Sequence, residues 1–225
     1  MVISWYGQSC IKITAKATQE VILLIDPFER SIVGLNPPRS QADIVMVTHE
    51  HPDHNNISSQ EGNLIVKGPG EYELKGISIQ GILGWHDEKK TLPITIYRIE
   101  AEGITLCHLG DLGQEELSDE QLEKIGGVDI LFIPIGGEYT LAKQKLSILD
   151  AENAQRVINQ IEPNIVVPIH YKIPGVILDL SGPEKFLKAM GVTKAERLDK
   201  LSIKKKDINP EETKIILLQA VGAAS

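Results

Sequence analysis

Only two cysteines, Cys10 and Cys107, occur in a chain of 225 residues, and neither has a C-x-x-C neighbour. That excludes a disulfide framework and a thiolate zinc ribbon, and it suits a reducing compartment. Aromatic residues are sparse at 4%, so the core must be built mainly from Ile, Val and Leu. No apolar run approaches the ~18 residues needed to cross a bilayer. The start, from Met1 to Gly7, lacks the basic and long apolar regions of a signal peptide. Basic charge is short as well. The net charge is −8, and the one concentrated basic run, Lys204-Lys205-Lys206, reads as a solvated strand end or loop. Such a surface repels polyanions, so nucleic acid is not an expected partner. The expectation is a cytoplasmic protein with no membrane segment.

What the chain does contain is close to the globular average, with 42% hydrophobic and 24% charged residues, so disorder is excluded. No linker rich in Pro, Gly or Ser interrupts it, and a single domain over 1–225 is expected. The first hundred residues alternate short β-branched runs with turn signals, the pattern of antiparallel strands. The runs are Val2 to Trp5, Ile11 to Thr14, Val21 to Ile25, Ile44 to Val47, Leu64 to Val66, Ile77 to Gln80 and Ile94 to Ile99. Asp26-Pro27 and Gly68-Pro69-Gly70 are the breakers.

The second half interleaves helices with apolar strands. Ser118 and Gln121 form a capping-box pattern closed by Gly126-Gly127, and the strand Val128 to Ile135 follows. Asp150 caps a helix whose Ala154, Val157, Ile158 and Ile161 share one face, ended by Pro163 before the strand Ile165 to Ile169. A helix from Pro183 to Met190 and a strand from Lys214 to Leu218 close the chain. Strand-rich stretches followed by strand-helix units predict a layered α/β arrangement of two packed mixed sheets with helices outside.

All six histidines follow such apolar runs. Three lie in Thr48-His49-Glu50-His51-Pro52-Asp53-His54, an H-x-H-x-D-H pattern that puts four metal-ligating side chains within six residues. Pro52 disfavours helical geometry at His51 and suits the first turn of a short helix, so His49 and His51 can point to one side while Asp53 and His54 turn to a second point. Two ions bound that way remain short of ligands. Further ones are available at the ends of other strands: His86, Asp111 in His108-Leu109-Gly110-Asp111, and His170. His108 fits three roles, a ligand in place of His86, a residue hydrogen-bonded to Asp111, or a buried strand-end histidine, of which the second is preferred. Asp26 and Asp87 have a similar supporting reading. Gly136-Gly137-Glu138-Tyr139-Thr140 reads as a pocket mouth, and Lys172 as a group that meets an anionic substrate.

The H-x-H-x-D-H block, a lone histidine, a Gly-Asp loop and a late strand-end histidine occur in an order that resembles the metallo-β-lactamase superfamily. Trp5-Tyr6-Gly7-Gln8-Ser9, Leu24-Ile25-Asp26-Pro27 and Pro168-Ile169-His170-Tyr171 are similar to its branch of stand-alone, Zn-dependent hydrolases related to ascorbate-6-phosphate lactonase. The resemblance implies a four-layer αββα sandwich with the site at one edge between the sheets. It also implies one metal held by His49, His51 and His86, a second by Asp53, His54 and His170, and Asp111 bridging them.

Nitrogen and carboxylate donors without thiolate favour two divalent ions, Zn²⁺ first, with Mn²⁺ or Fe²⁺ as alternatives. Water on such an ion has its pKa lowered from 15.7 toward ~7, which supplies hydroxide at neutral pH. Asp53 and Asp111 would orient that nucleophile. The expected function is hydrolysis of a small anionic ester, lactone or phosphodiester. A nuclease, or an iron-dependent redox or scaffold protein of the same fold, is the alternative, and a homo-oligomer is compatible with the sequence.

Overall fold

The computed structural model describes residues 1–39, 41–58 and 64–222. Its elements alternate along the chain as the apolar runs dictate. Strands β1 (Val2–Trp5), β2 (Ile11–Lys16) and β3 (Glu20–Ile25) are followed by a single helical turn, α1 (Arg30–Val33), then β4 (Ile44–Val47) and β5 (Leu64–Lys67). A meander comes next, β6 (Gly70–Leu74), β7 (Ile77–Trp85), β8 (Pro93–Ala101) and β9 (Ile104–His108). Helix α2 (Asp119–Ile125), β10 (Ile130–Pro134), the hairpin β11 (Glu138–Leu141) and β12 (Gln144–Ser147), and α3 (Ala151–Ile161) succeed it. The chain ends with β13 (Ile165–Ile169), α4 (Glu184–Ala189), β14 (Glu196–Leu198), β15 (Leu201–Ser202) and β16 (Lys214–Leu218).

Two mixed sheets result. The first has the order β15-β1-β2-β3-β4-β5, the second β14-β16-β13-β10-β9-β8-β7-β6. Alternate residues of both inner faces, such as Ile3, Ile13, Leu23 and Met46 from one sheet and Ile79, Ile99, Leu106 and Phe132 from the other, join one buried core. Burying each such side chain contributes about 1.5–3 kcal/mol, so aliphatic residues suffice where aromatics are few. Helices α2, α3 and α4 lie on the second sheet. The outer layer of the first sheet is thinner, one turn of helix plus the β11–β12 hairpin and loops packed on Leu24, Val45 and Phe28. Among the described residues no helix is long and apolar enough to cross a membrane.

Local signals act as expected at the helix ends. Ser118 accepts from the Gln121 N–H while the Gln121 side chain accepts from the Ser118 N–H, and Asp150 accepts from the N–H groups of Glu152 and Asn153. The antiparallel expectation for the first hundred residues is corrected in part, because β3, β4 and β5 pair in parallel. A crossover through residues 26–43 returns the chain to the same sheet edge. That reversal matters for function. It sends the carboxyl ends of β3 and β4 to one edge, where those of β9, β10 and β13, parallel in the other sheet, also end. Such edges are where α/β sheets bind ligands.

Candidate metal centre

Five loops deliver side chains to that edge: the loops after β3, β4, β7, β9 and β13. The segment after β4 makes a turn in which the His54 N–H bonds the His51 carbonyl at 2.9 Å; it is a turn rather than the short helix expected at Pro52. Two groups of donors form. His49, His51, His86 and Asp111 make one, and Asp53, His54, Asp111 and His170 the other, with each group's ligand atoms within 4.8 Å of one another. Asp111 belongs to both.

The spacing fits small cations. A tetrahedron built on Zn–N bonds of ~2.0–2.1 Å has edges of about 3.3 Å. In the first group His49 Nε2 lies 2.9 Å from His51 Nδ1, and His86 Nε2 lies 3.4 Å from Asp111 Oδ2. In the second, His54 Nε2 lies 3.1 Å from Asp111 Oδ1 and 3.5 Å from Asp53 Oδ2, while His170 Nε2 lies 3.3 Å from Asp111 Oδ2 and 3.5 Å from Asp53 Oδ2. Three of these atoms, His54 Nε2, Asp53 Oδ2 and His170 Nε2, make no hydrogen bond despite their closeness. Among the described residues, the buried side-chain atoms without a partner are both oxygens of Asp53, Nε2 of His54, both ring nitrogens of His170, and the amide of Gln8. An orphaned buried polar atom is costly unless something fills its place. A cation at each group would do so.

Three other ring nitrogens are fixed by neighbours. His54 Nδ1 faces Asp26 Oδ2 at 2.9 Å, His86 Nδ1 donates to the Ser147 carbonyl at 3.1 Å, and His49 Nδ1 lies 3.1 Å from Thr48 Oγ1. Each leaves Nε2 free to ligate. Asp26 also accepts from the Thr48 N–H and Oγ1, both at 2.8 Å, and so ties the end of β3 to the ligand loop. Backbone strain gathers here too. Asp26 and His170 both have φ 49°, a left-handed conformation costing about 1–3 kcal/mol for a non-glycine residue. Gly110, at φ 55°, has no room for a side chain, since a Cβ would come within 2.9 Å of Thr48.

Electrostatics point the same way. Burial opposes charge on His54 and His170, yet the facing carboxylates Asp111 and Asp53 outweigh it, holding His54 well above the usual imidazole range and His170 at about 9. Burial would raise the Asp111 carboxyl, but His170 and His54 hold it well below its usual value. The pocket demands positive charge, and without a cation protons supply it. His49 and His51 are depressed, by burial first and by neighbouring imidazoles second, and stand neutral as ligands must.

All seven histidine and aspartate residues singled out as ligands thus meet in space. His108 plays a different part from the one preferred for it. It closes β9, donates from Nε2 to the Ser9 carbonyl at 2.9 Å and accepts the Gly110 N–H on Nδ1 at 3.1 Å, without bonding the Asp111 side chain. The two-residue offset between His108 and Gly110 leaves its ring facing the loop backbone. Lys172 is also corrected: its ammonium donates to the Leu178 carbonyl at 2.6 Å, which anchors its own loop. Asp87 caps the 87–92 turn through Thr91 and Leu92 and does not support a ligand. Two contacts escaped the sequence. Ser9 Oγ donates to Asp111 Oδ1 at 3.3 Å and Tyr139 OH to Asp111 Oδ2 at 2.9 Å. The alternation of Tyr139 and Leu141 as inward residues of β11 was the available signal for the second.

A cavity of about 430 Å³ opens beside this centre, with His86, Tyr139, Ser147, Leu92 and Leu146 in its wall. The segment expected to form the pocket mouth therefore lines it through Glu138, Tyr139 and Thr140. Asp87, Glu138 and Asp179 surround it against one cation, Lys145.

Comparison with known proteins matches this architecture. A UPF0173 metal-dependent hydrolase of Thermococcus onnurineus is 28% identical over 200 residues, covering 75% of this chain and 84% of the relative. One from Thermoplasma acidophilum is 25% identical over 215 residues, covering 82% and 88%. A solved Thermotoga maritima protein, named for a Zn-dependent hydrolase of the metallo-β-lactamase superfamily, superposes with a TM-score of 0.74 at 28% identity and covers 96% of this chain and 97% of that one. The model of the β-lactamase superfamily domain matches residues 2–170, which include every histidine and both aspartates of the centre, and the chain belongs to that superfamily.

Proposed function

We propose that this protein hydrolyses a small ester, lactone or phosphodiester by means of two divalent cations, Zn²⁺ first and Mn²⁺ or Fe²⁺ as alternatives. The coarser statement is plain: it is a metal-dependent hydrolase of the metallo-β-lactamase superfamily, as its relatives are named. The observation that carries the finer reading is the set of orphaned buried atoms on Asp53, His54 and His170, gathered at tetrahedral spacing around a shared Asp111.

His49, His51 and His86 would hold one cation, Asp53, His54 and His170 the other, with Asp111 between them. Bound there, the cations would ionise a water at neutral pH and polarise the substrate's carbonyl or phosphoryl oxygen. Asp53 and Asp111 orient the attacking water through their oxygens. The full burial of Asp53, His54, Asp111 and His170 strengthens the charge interactions among them. No serine or cysteine nucleophile is required, since Ser9 is committed to Asp111 and Cys10 is buried and pushed well above the usual thiol range, first by burial.

The carboxylates around the cavity refine the substrate. Negative charge is favourable on the reacting group, near the cations, and unfavourable on the portion that occupies the cavity. The same acidity and the net charge of −8 support a small molecule over RNA or DNA. Two buried free thiols suit a cytoplasmic setting.

Elemental analysis after gentle purification, with an assay panel of lactones, aryl esters, cyclic dinucleotides and single-stranded RNA, tests this reading. About two transition-metal ions per chain and turnover of a small ester or phosphodiester are expected. Asp111→Ala should abolish turnover with the fold intact by circular dichroism. Less than one ion per chain, or undiminished activity in the variant, overturns the reading.

A further inference from the structure

Tyr139 stands where the two donor groups meet and where the cavity begins. Strand β11 alternates, so Tyr139 points inward opposite Leu146 while Glu138 and Thr140 point out. Its hydroxyl lies 2.9 Å from Asp111 Oδ2 and 3.3 Å from His86 Nε2, and its ring sits 5.2 Å from that of His170. The side chain is 3% exposed and forms part of the cavity wall. A phenol hydroxyl is a hydrogen-bond donor as well as an acceptor, so Tyr139 has a proton to give to a neighbouring oxygen.

Both of its acceptors are candidate ligand atoms. His86 Nε2 has a single lone pair, and once that is given to a cation it no longer accepts from a phenol. Asp111 Oδ2 retains a second lone pair, weakened by coordination. A buried O–H that loses acceptors is unfavourable by about 1–3 kcal/mol unless a new acceptor arrives. The cavity is the direction from which one can come.

We infer that Tyr139 is a substrate-contacting residue: its O–H donates a hydrogen bond to the scissile oxygen of a molecule whose leaving group occupies the cavity beneath the β11–β12 hairpin. This rests on the hydrolytic reading above. In the reaction water forms a new bond from its oxygen to the carbonyl carbon or phosphorus. The bond to the leaving oxygen breaks with its electron pair, and that oxygen ends with a proton derived from the water. Tyr139 stabilises the charge as it develops and remains protonated throughout.

The test is Tyr139→Phe, which keeps the ring and removes only the hydroxyl. Three quantities are measured on metal-loaded protein: metal content, hydrolysis of paired p-nitrophenyl and alkyl esters sharing one reacting group, and binding of inorganic phosphate by calorimetry. Metal content should match the wild type. Removing a donor of this kind costs on the order of 10²-fold in kcat, so the alkyl ester should lose about that factor. The p-nitrophenyl ester, whose leaving oxygen needs little help, should lose less than ~3-fold, and phosphate binding should weaken about tenfold. Equal losses for both esters with reduced metal content would make Tyr139 a positioning residue for Asp111 and overturn the inference. Unchanged kinetics and phosphate affinity would also overturn it. If the wild type turns over neither these esters nor the lactones and phosphodiesters of the assay panel, the hydrolytic reading fails, and the phosphate measurement still decides whether the Tyr139 hydroxyl meets a bound oxygen.

Discussion

His54 Nδ1 and Asp26 Oδ2 lie 2.9 Å apart, both side chains wholly buried, across the gap between the loop after β4 and the end of β3. The pair fixes which imidazole nitrogen faces Asp53 and Asp111. Because Asp26 also accepts twice from Thr48, one carboxylate sets both a ligand's tautomer and the path of the loop that carries three other ligands.

Asp26→Asn keeps size and one acceptor oxygen but removes the charge that favours a proton on Nδ1. Outer partners of metal-bound histidines are typically worth 10–100-fold in metal affinity. A weakening of about that size is expected for one of the two cations, measured by chelator competition, with the other bound as before. Equal affinities in variant and wild type would show that His54 needs no such orientation.

Much of this centre was legible because ligand chemistry is local. The His49–His54 block carries four donors in one turn, and strand ends after apolar runs located His86, Asp111 and His170. What stayed hidden depends on tertiary approach. Alternation along β11 marks Tyr139 as inward, but nothing around Ser9 or Tyr139 in the chain names Asp111 as the partner of their hydroxyls, because it follows β9 while they lie in the β1–β2 turn and in a hairpin laid over the first sheet. Lys172 misled for the reverse reason: proximity in sequence to His170 does not overcome a carbonyl, that of Leu178, within reach of its ammonium. The parallel pairing of β3, β4 and β5 was masked because a four-residue apolar run such as Ile44–Val47, buried at every position, is too short to mark its direction.

His108 gives a structural prediction separate from metal binding. Its ring joins the Ser9 carbonyl to the Gly110 N–H, so it fastens the β1–β2 turn to the Gly-Asp loop. His108→Leu leaves both backbone groups buried and unpaired. Each costs about 1–3 kcal/mol, so a fall in Tm of several degrees is expected for metal-free protein by calorimetry. His108→Gln, which carries a donor and an acceptor, should recover part of it. A leucine variant as stable as the wild type would rule out this role.

The charges around the cavity should tune substrate preference. Glu138 and Asp179 are exposed carboxylates and Lys145 the only cation among its lining residues. The double variant Glu138→Gln, Asp179→Asn should raise kcat/KM several-fold for esters with an anionic leaving portion, and the gain should shrink between 0.05 and 0.5 M salt, roughly where the Debye length falls below 10 Å. Neutral esters should change little. A uniform change across both substrate types would show that these charges lie off the substrate's path.

The response to pH should differ in sign with and without metal. In the metal-free protein His170 has its pKa raised to about 9, because Asp111 and Asp53 outweigh the effect of burial; an unfolded histidine titrates near ~6.5. A raised folded value means that stabilisation is fully present below about 6.5 and is lost as pH climbs through about 9. His54, raised by the same carboxylates and Asp26, adds to the trend. A cation needs both rings deprotonated, so its binding strengthens over the same interval as fewer protons must be displaced. Melting curves of chelator-treated and Zn²⁺-loaded protein between pH 6 and 9.5 should therefore diverge, the first falling with pH while the stabilisation by metal grows. Parallel curves would mean that cations and protons do not compete for His54 and His170.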